Sequence, residues 1–110
     1  MMGFAMFGLD VPTTKTSTAL LAFAHDEVAE SETTACIKCG RCVQVCPGRV
    51  MPNVLADCAE HFDSENFVKL GGMECCECGC CSFICPAKRQ LTQSIKSMRK
   101  IELANRRNKK

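Results

Sequence analysis

Apolar residues return every three or four positions late in the chain, at Leu91, Ile95, Met98 and Ile101. That period is one face of an α-helix. It predicts a single amphipathic helix through Lys100 and beyond, apolar face inward and basic face outward. Another helical stretch begins at Pro52, which suits a first turn because the missing N–H is not needed there. Val54, Leu55, Cys58, Ala59 and Phe62 then share one stripe. Asp63 or Ser64 can cap a further short helix carrying Phe67, Val68 and Leu70, which Gly71-Gly72 ends.

Residues 1–30 follow no helical period. Met1–Leu9 is apolar and punctuated by glycine, and Asp10-Val11-Pro12 reads as a turn or extended segment, since a residue before proline is pushed away from helix. Thr13–Ala24, rich in threonine and apolar residues, suits one or two weak strands, too few to stand alone. This stretch therefore reads as the trailing edge of a larger domain. His25–Thr34 is polar and acidic, as a linker is. The expected division is an extended remnant over 1–25, an acidic linker over 26–35, a cofactor-binding domain over 36–101 and a basic tail over 102–110. The expected fold class is mainly α, with a short extended or β remnant at the N-terminus.

Composition changes this picture in one respect. Eleven of 110 residues are cysteine, there is no Trp or Tyr, and there are only six Phe. A chain this short, with so few aromatics, needs a covalent or metal staple, and its cysteines offer one. Disulfides fit poorly: the count is odd, the cysteines sit in two dense runs, and Met1-Met2-Gly3-Phe4 lacks the basic region of a secretory signal. The apolar run Ala19–Ala24 is far shorter than the roughly 20 residues that span a bilayer. A reducing, cytoplasm-like compartment is expected.

The two dense runs are one motif repeated. Cys36-Ile-Lys-Cys39-Gly-Arg-Cys42-Val-Gln-Val-Cys46-Pro47 and Cys75-Cys-Glu-Cys78-Gly-Cys-Cys81-Ser-Phe-Ile-Cys85-Pro86 share the spacing C-x₂-C-x₂-C-x₃-C-P, offset by 39 residues. Bacterial ferredoxins with two [4Fe–4S] clusters have this spacing, and in them the fourth cysteine of each run ligates the other cluster. By that rule Cys36, Cys39, Cys42 and Cys85 hold one cluster, and Cys75, Cys78, Cys81 and Cys46 the other. Gly40 and Gly79 occupy equivalent places, where the loop passes close to sulfide. Structural zinc is the competing reading. It wants two separated C-x₂-C pairs, and the doubled motif packs too many thiolates too closely for that. Cys58 reads as a small buried hydrophobe, Cys76 and Cys80 as neighbours of ligands, and His25 and His61 as exposed.

The function expected is one-electron relay, with no catalytic site in the chain. A dehydratase-like open iron would require a missing ligand, and both motifs are complete. Lys38 and Arg41 lie among the first run's ligands, where the second run has Glu77 and Cys80. Positive charge favours the reduced cluster, so the first cluster is expected to have the higher potential.

Charge is uneven along the chain. Residues 88–110 hold nine basic groups against Glu102 alone, giving +8 there and −6 over residues 1–87. A basic tail suits an acidic partner or an anionic membrane surface. The scarcity of aromatics for base stacking weakens a nucleic-acid role, so no nucleic acid is expected. The alternative functions are a stand-alone dicluster ferredoxin and a cluster-based redox sensor with a basic tail.

At the motifs CIKCGRCVQVCP, MPNVLADCAEHF and ECGCCSFICPAKRQLTQSIK, the chain resembles the C-terminal cluster domain of the Rnf-complex C subunit. Rnf complexes are the ion-translocating electron-transport complexes linking ferredoxin to NAD. MMGFAMFGLDVPTTKTSTALLAF is similar to the stretch just before that domain, so the resemblance covers residues 1 to about 100. It implies two [4Fe–4S] clusters in an oxidoreductase module, other proteins of the complex and redox proteins as partners, and a peripheral place on the cytoplasmic face of a membrane. In that family a larger N-terminal region supplies flavin and NADH binding. This chain has no G-x-G-x-x-G, and NADH chemistry is not expected of it.

Overall fold

The computed structural model describes residues 8–109. Six helices follow in order: α1 (Glu27–Glu30), α2 (Arg41–Val45), α3 (Pro52–Glu60), α4 (Ser64–Lys69), α5 (Cys80–Ile84) and α6 (Leu91–Asn108). A 3₁₀ turn over Gly72–Glu74 separates α4 from α5. Among the described residues there is no strand, so the molecule is mainly α and the strands expected over Thr13–Ala24 are not formed. Residues 8–26 are irregular, with a turn closed by Ser17 N–H donating to the Thr14 carbonyl at 3.0 Å. Leu9, Leu20, Leu21 and Phe23 are exposed there, leaving a strand no apolar face to cover. Met1–Phe7, part of the apolar opening, and Lys110 at the end of the basic tail lie outside the described residues. The acidic linker contains α1.

α3 and α6 pack across each other, and α4 closes one side. Leu55, Phe67 and Ile95 are completely buried, with Val50 and Met98 beside them. Burying each such side chain stabilises the fold by about 1.5–3 kcal/mol. A second apolar cluster joins Ala56 and Leu91 to Cys42 and Cys81, so the cofactor-bearing loops are continuous with the core.

Helix ends follow the expected chemistry, with two corrections. Asp63 caps α4, accepting from the Asn66 N–H at 3.2 Å. Phe62, expected on the α3 stripe, lies beyond the helix and is 75% exposed. The α3 terminus is a Schellman motif in which Asp63 N–H donates to the Cys58 carbonyl at 2.9 Å and Phe62 N–H to Ala59 at 3.2 Å. That motif requires a left-handed residue between helix and cap, and Phe62 supplies it at φ 55°. On α6 the inward stripe is Leu91, Ile95, Met98 and Glu102, while Ile101 is exposed. Three turns span about 10.8 residues, which brings position 102 rather than 101 back beneath Leu91.

The 39-residue repeat is a repeat of backbone as well as sequence. Lys38 and Glu77 have φ 56° and 57°, Gly40 and Gly79 φ 76° and 80°, Arg49 and Lys88 φ 52° and 54°. α2 and α5 are equivalents that pack against each other.

Candidate metal centres

Each cysteine run begins as a loop and ends as one turn of helix. Gly40 and Gly79, both left-handed, start α2 and α5, so the third cysteines, Cys42 and Cys81, face inward and are buried. The fourth, Cys46 and Cys85, leave the helix in extended conformation at ψ 115° and 117°. Their Cys-Pro junctions turn the chain away from its own loop.

The structure gathers the eight cysteines into two groups. Cys36, Cys39, Cys42 and Cys85 line one cavity. Cys46, Cys75, Cys78 and Cys81 line another. Each thus unites three cysteines of one run with the fourth of the other. Among the described residues, no three His, Cys, Asp or Glu side chains converge closely enough to hold a single metal ion. The first residues of α3 and α6 close both cavities: Asn53 and Leu91 at the first, Pro52 and Thr92 at the second. Helix N-termini carry partial positive charge, which suits an anionic occupant.

Backbone donors point at the sulfurs. Lys38 N–H donates to Cys36 Sγ and Glu77 N–H to Cys75 Sγ, each at 3.4 Å. Burial raises the pKa of Cys42, opposed by the Asn53, Val43 and Cys42 N–H groups. Burial likewise raises that of Cys75, opposed by the Glu77 N–H. Cys78 is lowered, first by the backbone N–H of Cys80. This donor set, four cysteines at each cavity with backbone N–H groups aimed at the sulfurs, fits a [4Fe–4S] cluster.

Of the remaining cysteines, Cys58 packs against the core from α3, and burial followed by the Asp63 and Asp57 charges raises its pKa. Cys76 is exposed at the rim of the second cavity. The thiol of Cys80 is raised by its hydrogen bond to Cys78. His25 and His61 are exposed, His25 Nδ1 lying 2.8 Å from Glu30.

Three polar residues lining the cavities, and a fourth beside Glu77, were not singled out as site residues from the sequence. Arg89, lining the first cavity, bridges Asp57 at 2.9 Å and Glu60 at 2.8 Å. Arg99 pairs with Glu77 from α6. Thr92 Oγ1 lies 3.4 Å from Cys81 Sγ, and Asn53 borders Cys42. The arginine pairings carry no local signal. Asn53 and Thr92 do carry one, because they are 39 residues apart and so occupy the same place in the repeat.

Comparison with known proteins agrees with this chemistry. Residues 31–51 match a family model described as a 4Fe-4S binding domain. Over 108 residues, 98% of its length, the chain is 34% identical to the C subunit of the ion-translocating oxidoreductase complex of Methanosarcina acetivorans, covering 24% of that protein. It is 39% identical over 56 residues to the C subunit of the proton-translocating ferredoxin:NAD(+) oxidoreductase complex of Clostridium ljungdahlii, covering 51% of this chain and 12% of the relative. The C subunit of the ion-translocating oxidoreductase complex of Vibrio cholerae is 41% identical over 66 residues, 57% of this chain and 8% of that protein. The chain therefore spans a quarter or less of the length of these relatives.

Proposed function

From a chain homologous to the C subunits of ion-translocating oxidoreductase complexes, we propose an electron relay that holds two [4Fe–4S] clusters within such a complex. The observation that carries this reading is the division of eight cysteines, four and four, round two cavities. Cys36, Cys39, Cys42 and Cys85 hold one cluster, and Cys75, Cys78, Cys81 and Cys46 the other. Structural zinc wants two separated C-x₂-C pairs, and the doubled motif packs too many thiolates too closely for that. When bound, each cluster supplies a one-electron couple whose potential the protein sets. The chain's own part is to fix the two sites relative to each other, to aim backbone N–H groups at the thiolates and to limit water.

The two sites differ in cover. Cys36 and Cys39 are exposed, as is Ile37 between them, whereas Cys75, Cys78 and Cys46 are half-buried. The first cluster is therefore the one that meets a redox partner protein, and the second is the inner station. Residues 1–25 precede the cluster-bearing part, and 26–35 are a linker that contains α1. The cluster domain occupies 36–101, and 102–110 is a basic tail that seats it among partner proteins of the complex at the anionic cytoplasmic face of the membrane. Among the described residues no helix is long and apolar enough to cross a membrane.

Anaerobic reconstitution with iron and sulfide, followed by metal analysis and EPR of the reduced protein, tests the reading. About eight irons per chain and a spin-coupled [4Fe–4S] spectrum are expected. About four irons, or zinc in their place, would overturn it.

A further inference from the structure

The 39-residue equivalence extends past the cysteines. Pro52 and Leu91 are the first residues of α3 and α6, and Asn53 and Thr92 the second. Each second residue stands beside the third cysteine of one run. Thr92 is 8% exposed, and its Oγ1 lies 3.4 Å from Cys81 Sγ and 2.8 Å from Ser82 Oγ. Its N–H donates to the same Ser82 Oγ at 2.9 Å. In the other half, Asn53 and Cys42 line the same cavity, yet Asn53 Oδ1 is buried with no hydrogen-bond partner.

An iron-bound thiolate has no proton and can only accept. That fixes the order of donors at Cys81. The Thr92 hydroxyl donates to the sulfur, the Ser82 hydroxyl donates to Thr92 Oγ1, and the Thr92 N–H donates to Ser82 Oγ. Every hydrogen is used and the set closes on itself. Val43 replaces Ser82 in the first run, so no such hydroxyl pair exists there. Asn53 supplies the alternative. A buried acceptor without a donor, beside a cavity that takes an anion, is unfavourable. A half-turn of the carboxamide exchanges Oδ1 for Nδ2 and its two N–H groups.

We propose that Asn53 and Thr92 are equivalent potential-setting residues, each donating a hydrogen bond toward one of the two clusters. Thr92 acts through its hydroxyl on Cys81, and Asn53 through its carboxamide on the cavity that Cys42 lines. Hydrogen bonds to cluster sulfurs are among the determinants of potential, because they favour the more negative, reduced state. The inference rests on the two-cluster reading above. Within it, one repeat position carries two different donors, so the two clusters are tuned separately.

Potentiometric EPR titration of the reconstituted holoprotein tests this. Thr92→Val lowers one of the two midpoint potentials and leaves the other, while Thr92→Ser keeps it near the parent value. Asn53→Leu lowers the other midpoint alone. After exchange into deuterium oxide, electron–nuclear double resonance of the reduced protein shows an exchangeable-proton coupling that Thr92→Val loses and Thr92→Ser retains. Should Thr92→Val fail to assemble, Ser82→Ala breaks the same donor set and lowers the same midpoint less. With about eight irons present, midpoints that stay put in every variant, or that shift together by the same amount, overturn the proposal. An iron count near four in the parent protein overturns the relay reading instead, and so separates the two failures.

Discussion

Arg99 reaches from α6 to donate through Nη1 to Glu77 and, at 3.2 Å, through Nη2 to the Met73 carbonyl. Lys96 Nζ lies 3.7 Å from the other oxygen of Glu77. The three side chains are 12–23% exposed, so water screens them less than it screens surface pairs. Two cations thus surround the one acid in the second ligand loop, and the local balance is positive. At the first cavity, Arg89 is held between Asp57 and Glu60, which raise its pKa, and both acids are more than half exposed. Lys38 and Arg41, from which the sequence suggests a higher potential for the first cluster, are exposed and screened. The partly buried Lys96 and Arg99 thus offset the Glu77 charge on which the expected order of potentials partly rests. Arg99→Gln is expected to lower the midpoint of the cluster beside Glu77, and Glu77→Gln to raise it, in EPR-monitored redox titration. Shifts of the same sign would rule out this charge balance. The residue types were legible in the chain, but the pairing of Glu77 with Lys96 and Arg99 depends on where α6 lies, which no local pattern reports.

Helices α3 and α4 meet α6 through Phe67, and the turn after α4 is built to leave room for that ring. A Cβ on Gly72 would stand 2.5 Å from Phe67 Cε1 and Cζ, and Phe67 is completely buried. Gly72→Ala should destabilise the fold by about 1–3 kcal/mol, the usual cost of overpacking. Because bound cofactors make unfolding irreversible, the measurement is the rate at which cluster absorbance is lost on heating. Phe67→Leu in the same chain should relieve part of the Gly72→Ala defect, and strictly additive effects would sink the clash. Gly71-Gly72 reads from sequence as a helix stop, whereas its close approach to Phe67 is a packing fact. The same division holds for the other elements. The start of α3 at Pro52, the cap at Asp63 and the long α6 follow from local rules. Phe62 and Glu102 do not, since one is claimed by the Schellman motif and the other by the drift of a 3.6-residue period.

At the scale of the whole molecule, the two fourth cysteines decide whether the chain is two halves or one unit. Cys46 ends the first run but lines the cavity of the second, and Cys85 the reverse. Thr34 N–H donates to the Ala87 carbonyl at 3.0 Å, so the start of the first run is also held to the end of the second. The cysteine spacing made this exchange legible, because in two-cluster ferredoxins with the same motif the fourth cysteine of each run serves the other cluster. Residues 8–26 offered no such constraint, as their apolar side chains stand exposed outside both core clusters. Consider Cys85→Ser. In a chain of two independent halves it would remove the cluster of the second run, leave about four irons and spare the rest of the helix content. With the ligands exchanged it removes a ligand from the first cluster and frees the Cys-Pro turn that leads into α6. Loosening α6 withdraws Leu91, Ile95 and Met98 from the core and Thr92 from Cys81, so the second cluster suffers as well. Metal analysis should then find well under four irons per chain, with helix lost in far-UV circular dichroism, and Cys46→Ser should do the same. Four irons and undiminished helix in either variant would mean that the halves stand independently.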